Sequence, residues 1–212
     1  MRIKTFAVKA IMLALFLALA SQGYAYAESF NVTVDTSGLG SGASEIFFFL
    51  IGTGVNTATL SNIALGGGTA GPVDAAIAAG SGALASNNLA GGISLTDSTD
   101  FLNVFGQSFQ AGSAISFLLN LTTNVVSPDP DQFALAILDS SGNFPPSADP
   151  NSGDLLAINI DSGTPTPDIY SDLVTVTAAT PAPEPSSLWL LSGGLSALAL
   201  LCLTQKNGSG RS

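Results

Sequence analysis

The chain has 212 residues and a formal net charge of −10, with only 9% charged residues, and its five basic residues all lie near the two ends. Residues 28–180 contain no Lys and no Arg, and the whole chain contains no His. Nucleic acid is excluded as a partner of this region, because phosphate binding depends on Lys and Arg. Catalysis by a Ser-His or Cys-His pair and zinc sites built on His and Cys are excluded as well, since the sole cysteine is Cys202.

The first 27 residues have the pattern of a secretory signal peptide. Three basic residues precede an apolar run over residues 10–20, which is too short to span a bilayer comfortably. Ala25 and Ala27 are the small residues at the −3 and −1 positions of a cleavage site. We therefore expect residues 1–27 to direct export and to be removed after Ala27.

Residues 28–179 show alternation and turns rather than helical periodicity. In chain order, the predicted strands cover residues 30–35, 45–51, 57–65, 91–96, 100–109, 114–122, 133–138, 155–160 and 173–177. Turns rich in Gly, Pro, Asn, Asp and Ser separate them. This pattern predicts an all-β domain, an antiparallel β-sandwich of the jelly-roll type, whose length is sufficient for a real core.

Two segments of this domain depart from simple alternation. Residues 66–90 are rich in Gly, Ala and Ser and are predicted to form a long flexible insertion, in which 73–79 could form one or two helical turns. Phe101, Phe105 and Phe109 recur at a spacing of four. This spacing fits either a short amphipathic helix or a strand pair broken at Gly106, and in both cases core packing is the expected role.

The acidic residues of the domain suggest one kind of chemistry, which is the binding of a hard cation. Calcium prefers several carboxylate and carbonyl oxygens supplied by loops. The candidate ligands are Asp129 and Asp131 in one loop, and Asp149 and Asp154 in the next long loop. None of them has EF-hand spacing, and the alternative interpretation is that they form turns and carry solvated charge. No other cofactor is expected.

The C-terminal end has the organisation of a membrane anchor. A Pro-rich linker over 180–187 precedes an uncharged, mostly apolar segment, 188–203, which would span about 24 Å as a helix. Trp189 lies at one end of this segment, and a short basic tail, 204–212, follows the other. We expect a transmembrane helix with a cytoplasmic C-terminus, because basic residues stay on that side.

The Pro183-Glu184-Pro185 triplet, followed by an apolar segment with glycines and a basic tail, resembles the PEP-CTERM sorting signal. The resemblance covers roughly the last 30 residues, and it implies export across the inner membrane of a Gram-negative bacterium. It also implies processing by exosortase, a membrane protease-transpeptidase, and an association with extracellular polysaccharide and biofilm. Pro183, Glu184 and Pro185 are then recognition residues rather than catalytic ones. The layout of the exported domain looks like that of uncharacterised PEP-CTERM proteins, which implies no known activity.

Three functions from different classes follow. The leading one is a non-catalytic structural protein of the cell surface or extracellular matrix. The second is an adhesion module that binds polysaccharide or calcium, although the domain has no Trp and only one Tyr, Tyr170, for a sugar platform. The third is a carboxylate-dependent glycoside hydrolase. It is the least supported, because no cation is present to separate the pKa values of two carboxyl groups.

Overall fold

The structure is a computed structural model, and it describes residues 26–123, 131–160 and 164–179. Eleven strands form there: β1 Tyr26–Asp35, β2 Ala43–Ile51, β3 Thr57–Ala64, β4 Thr69–Val73, β5 Ile93–Thr96, β6 Leu102–Gln110, β7 Ala114–Thr123, β8 Gln132–Leu138, β9 Asp154–Asn159, β10 Thr166–Ile169 and β11 Val174–Ala178. A short 3-10 helix covers Gly80–Ala83. None of the helical structure in these ranges is long and apolar enough to cross a membrane. The predicted anchor and basic tail lie outside the described residues.

The strands form two antiparallel sheets. One has five strands in the order β11-β1-β7-β3-β5, and the other has six in the order β10-β9-β8-β2-β6-β4. Both sheets contribute alternate apolar side chains to one continuous core. The predictions of an all-β domain and of two packed antiparallel sheets are therefore confirmed.

Four aromatic rings hold the two sheets together at the centre of the core. Phe48 on β2 lies beside Phe105 on β6 and Phe133 on β8, with ring centroids 6.3 Å apart in both pairs. Across the sandwich, Phe117 on β7 meets the Phe48 ring edge-on at 5.5 Å. Offset and edge-on pairs are the arrangements that aromatic rings prefer. The apolar run of β2 thus places Phe48 at the junction of three strands and the opposite sheet.

Two strands were not predicted, and both lie at sheet edges. β4 lies within the segment predicted as a flexible insertion, and its sequence, Thr-Ala-Gly-Pro-Val, has no apolar alternation. β10 has the sequence Thr-Pro-Asp-Ile, and a proline normally argues against a strand. Edge strands need few buried side chains, so their sequences carry little periodic signal. Within residues 73–79 one hydrogen-bonded turn forms, in which the N–H groups of Ile77 and Ala78 donate to Asp74 O at 3.3 and 3.1 Å, and the 3-10 helix begins at Gly80.

Phe105 and Phe109 of the phenylalanine stripe lie on one uninterrupted strand, because β6 continues through Gly106. Phe105 and Phe109 are fully buried, whereas Phe101 precedes the strand and is 58% exposed. The expectation of core packing is confirmed for the first two and is wrong for Phe101. Positions four apart also share a face in a strand, so the spacing alone could not separate a helix from a strand.

Candidate functional site

Two buried carboxylates meet one amide where three strands begin or end. Asp97 directly follows β5, Asn56 directly precedes β3, and Asp131 directly precedes β8. Their side chains are nearly inaccessible, with relative exposures of 3%, 1% and 6% in that order. We call these three residues the Asp-Asn-Asp cluster.

The amide of Asn56 bridges the two acids. Its Nδ2 donates to Asp97 Oδ2 at 3.2 Å and also, over a short distance, to Asp131 Oδ2. The main-chain N–H of Asn56 donates to Asp97 Oδ1 at 2.7 Å. The N–H of Thr53 donates to Asp131 Oδ1 at 3.1 Å. The two carboxylates therefore satisfy polar groups of the loop that leads from β2 to β3, which would otherwise be buried without acceptors.

Gly52 allows the two acids to come close together. A Cβ on this residue would overlap the Asp131 carboxylate and would lie 2.9 Å from Asp97 Oδ2. Both carboxylates thus approach the same point above the glycine, and Asp131 Oδ1 and Asp97 Oδ2 are no more than about 5 Å apart. Since residues 28–180 contain no Lys, Arg or His, no side-chain cation of this region can balance the pair. N–H donors offset the burial of charge here, and an added cation could do so as well.

Among the described acids predicted as calcium ligands, Asp131 lies apart from Asp149 and Asp154. Asp131 belongs to the Asp-Asn-Asp cluster, while Asp129 lies outside the described residues. Asp154 is paired with Ala136 near the opposite end of β8, and Asp149 is joined to it across a turn. No group of three or more His, Cys, Asp and Glu side chains able to hold a metal occurs within the described ranges.

Asp149 and Asp154 differ in their electrostatic surroundings. Asp149 Oδ1 accepts hydrogen bonds from the N–H groups of Ser152 and Asn151, which hold the pKa of Asp149 below its usual value. Burial raises the pKa of Asp154, and the nearby charge of Asp149 adds to that effect. The carboxylate of Asp149 thus serves its own turn, as the turn-forming alternative expects.

A shallow acidic cleft lies at one end of the sandwich, lined among others by Asp35, Asp139 and Asp172. Asp35 accepts a hydrogen bond from the Ser37 hydroxyl at 2.6 Å, which lowers the pKa of Asp35. Asp139 accepts bonds from the main-chain N–H groups of two residues in the turn that follows it, at 2.8 and 2.9 Å. Here again the carboxylates stabilise local turns.

The residues predicted to serve in sorting and signal cleavage lie for the most part beyond the described ranges. Pro183, Glu184 and Pro185 are outside them, as is Ala25. Ala27 lies in β1, where it is exposed and paired with Thr122 of β7. Cleavage after Ala27 would remove two residues from the start of β1 and leave its pairing with β11, which begins at Phe30, intact.

Sequence reasoning missed Asp97 and Asn56, the two partners of Asp131. Each is a turn-type residue at a strand boundary, and such residues are common throughout this chain. Their only signal was position, directly after one predicted strand and directly before another. Comparison with known proteins adds no further guide: no protein-family model matches the chain, and no similar curated protein or solved structure was found.

Proposed function

We propose that this chain is an exported structural protein of the bacterial cell envelope or extracellular matrix, without catalytic activity. Its exported part, residues 28–179, is in this proposal a jelly-roll-like sandwich that acts as an inert, acidic building block. The observation that carries the proposal is the use of the acids. The carboxylates of Asp35, Asp139 and Asp149 accept hydrogen bonds from their own turns. Those of Asp97 and Asp131 are buried and accept hydrogen bonds from the side-chain amide of Asn56.

The two ends support the destination in this proposal. The signal-peptide pattern of 1–27 fits export, and the apolar segment 188–203 fits a membrane-anchored precursor. Pro183-Glu184-Pro185 would present a stiff, extended segment to exosortase just outside the membrane, because prolines hold the chain extended. The chain would then reach the cell surface or the matrix.

The test is to express the full chain in a Gram-negative host with and without an exosortase and to follow it by fractionation. We expect an anchored precursor that persists without exosortase and a shorter surface or released form with it. Replacement of Glu184 by Ala should leave the precursor uncut, with Asp100→Ala, at an exposed acid within the domain, as the matched control. Retention of the full-length chain in the cytoplasm would contradict the proposal, as would hydrolysis of any glycan in a broad panel by residues 28–179.

A second candidate function is calcium binding in an adhesion module, and the Asp-Asn-Asp cluster favours it. Asp97 and Asp131 bring two buried carboxylates together in a region without basic side chains. Carboxylate and amide oxygens are the ligands that calcium prefers. A cation between the acids would take over the role that the Asn56 Nδ2 donor has in this structure.

Thermal melting of residues 28–179 with and without millimolar calcium tests the second candidate. A ligand present at 100 times its Kd stabilises the folded state by about 2.7 kcal/mol, which raises the Tm of a domain of this size by roughly 5–10 °C. Asp131→Asn should abolish the shift, whereas Asp149→Asn, the matched control in the distant turn, should retain it. Equal melting curves with and without calcium would leave the structural proposal alone.

A further inference from the structure

The edges of the two sheets differ in how they are protected against pairing with another chain. β11 and β5 bound the five-stranded sheet, and β10 and β4 bound the six-stranded sheet. A free edge strand presents unpaired N–H and C=O groups, to which a strand of another molecule can bond. Folded β-proteins usually block such edges with prolines, charges, bulges or covering segments.

Both edges of the six-stranded sheet are blocked in these ways. β4 contains Pro72, and its register with β6 is interrupted between Ala70 and Val73. β10 contains Pro167 and is only four residues long, and its Asp168 is exposed. A proline removes one N–H from the edge, and a charge disfavours close pairing with a second acidic molecule.

The edge formed by β5 is covered by side chains of the preceding segment. The amide of Asn87 acts like a peptide group, because it accepts from Ser94 N–H at 3.0 Å and donates to Ser94 O at 3.1 Å. The hydroxyl of Ser81 does the same for Thr96, accepting at 2.8 Å and donating at 3.0 Å. Both outward-facing residues of β5 are thereby satisfied within the molecule.

Within the described residues β11 is less protected: of its outward-facing N–H groups, only that of Val174 is satisfied within the molecule, by Ser171 O at 3.1 Å. Its sequence, Val-Thr-Val-Thr-Ala, contains no charge and no proline. Ala179 donates its N–H to Ser29 O, and hydrogen bonds alternate along an antiparallel pair, so the main-chain groups of Val174, Val176 and Ala178 point away from β1. The sandwich therefore presents a pairing-competent edge along β11.

We propose that β11 pairs antiparallel with β11 of a second copy of this chain, centred on Val176. In that register Val176 faces Val176 of the second copy, and Val174 faces Ala178. The N–H of Val174 already donates to Ser171 O, so about four main-chain hydrogen bonds can form between the copies. The exposed side chains of Thr175 and Thr177 lie opposite each other on the outer face. Such Thr–Thr pairs stabilise neighbouring strands. The two five-stranded sheets join into one continuous sheet.

Charge selects the antiparallel orientation. Asp172 lies two residues before β11 and is exposed. Antiparallel pairing places the two copies of Asp172 at opposite ends, about 27 Å apart at roughly 3.3 Å per residue. That separation exceeds the screening length at physiological salt. Parallel pairing would bring the two carboxylates side by side, with no cation in either domain to offset them.

The small size of the contact means that the pairing is effective only where the local concentration of the chain is high. A single pair of five-residue strands buries far less surface than stable dimers in dilute solution need. Anchoring in one membrane or layer raises the effective concentration and makes weak contacts effective. The inference thus rests on the proposed function, a matrix or surface protein, and it supplies that protein with a means of self-assembly.

Cysteine cross-linking of the full-length chain tests the register. In a Cys202→Ser background, differently tagged Thr175→Cys and Thr177→Cys chains are co-expressed, and every cell fraction that contains the chain is treated with an oxidant. We expect mixed dimers at least tenfold above those of Ser94→Cys, a matched exposed position on the covered edge β5. Thr175→Cys expressed alone should link far less, because equivalent positions are offset by two residues in this register.

Ala178→Pro tests the role of the edge backbone. The N–H of Ala178 points away from β1, so proline removes no bond of the sheet but blocks the partner strand. We expect Ala178→Pro to reduce cross-linking at least tenfold and Ala178→Ser, which keeps the N–H, to leave it unchanged. The cysteine pairs alone decide the register, so the proposal stays testable even if the proline variant does not fold.

Two results would overturn the proposal. One is cross-linking no greater than that of Ser94→Cys, and the other is cross-linking that a folded Ala178→Pro variant leaves undiminished. The fraction in which the chain is found is recorded in the same experiment. A chain that reaches the surface without cross-linking refutes only the pairing, whereas cross-linking of a chain retained in the cytoplasm refutes only the proposed destination.

Discussion

Replacing Asn56 with Ala removes a side-chain donor that Asp97 and Asp131 share. Two hydrogen bonds to carboxylates are lost, at 3.2 Å to Asp97 and at a shorter distance to Asp131. A hydrogen bond to a charged group contributes about 1.5–3 kcal/mol. Asp97 keeps its bond from the Asn56 main chain, and Asp131 keeps its bond from Thr53. We therefore expect Asn56→Ala to lower the free energy of unfolding by about 3–4 kcal/mol, a large share of the 5–15 kcal/mol usual for a domain.

Urea unfolding of residues 28–179, followed by far-UV circular dichroism, measures this loss. Circular dichroism is preferable to fluorescence because Trp189 lies outside the domain. Asn31→Ala, at an exposed position on β1, is the matched control and should change stability by less than about 0.5 kcal/mol. A loss below about 1 kcal/mol for Asn56→Ala would refute the reasoning, since the amide would then not hold the carboxylates in place.

Three further predictions concern packing and charge. Ser44 Oγ is buried without a hydrogen-bond partner in the described residues, so Ser44→Ala should raise the free energy of unfolding in urea by about 1 kcal/mol. A lower free energy of unfolding would contradict this prediction. Burial, followed by the neighbouring Asp74, raises the pKa of Glu45, so the contribution of Glu45 to stability is present at low pH and is lost as pH rises through that pKa. Glu45→Gln should therefore raise the Tm slightly at pH 7 and leave the Tm unchanged near pH 3. Equal effects at both pH values would contradict this prediction. A Cβ on Gly82 would overlap a main-chain carbonyl of β6, so Gly82→Ala should lower the free energy of unfolding by about 2 kcal/mol. Gly38→Ala, at a residue with open space around it, should be nearly neutral. Similar melting temperatures for the two variants would show that the segment before β5 does not pack on β6.

The buried strands were readable because their side chains alternate between core and solvent. β7 shows this most simply, with Ile115, Phe117, Leu119 and Leu121 all buried and the residues between them more exposed. Period-two alternation is a direct consequence of strand geometry, and it needs no knowledge of the neighbouring strand. The class of the domain and nine of its strands could therefore be predicted from the sequence.

The candidate site could be predicted only in part. Asp131 was recognised as a potential ligand because of its local acidic sequence, but its partners are distant in the chain. Asn56 and Asp97 are 75 and 34 positions away, and only the packing of strand ends brings them together. Asp149, which lies in an equally acidic loop, is instead used by its own turn.

The sequence by itself predicted export and sorting through Pro183-Glu184-Pro185, and it determined the all-β class and the absence of any basic residue from 28–180. These are properties of composition and local order, which do not depend on which strands are neighbours. The tertiary structure alone decided which carboxylates are buried together and which edge strand is least protected. Both depend on strand order, because β11 is an edge strand only through having one neighbour, β1, in its sheet.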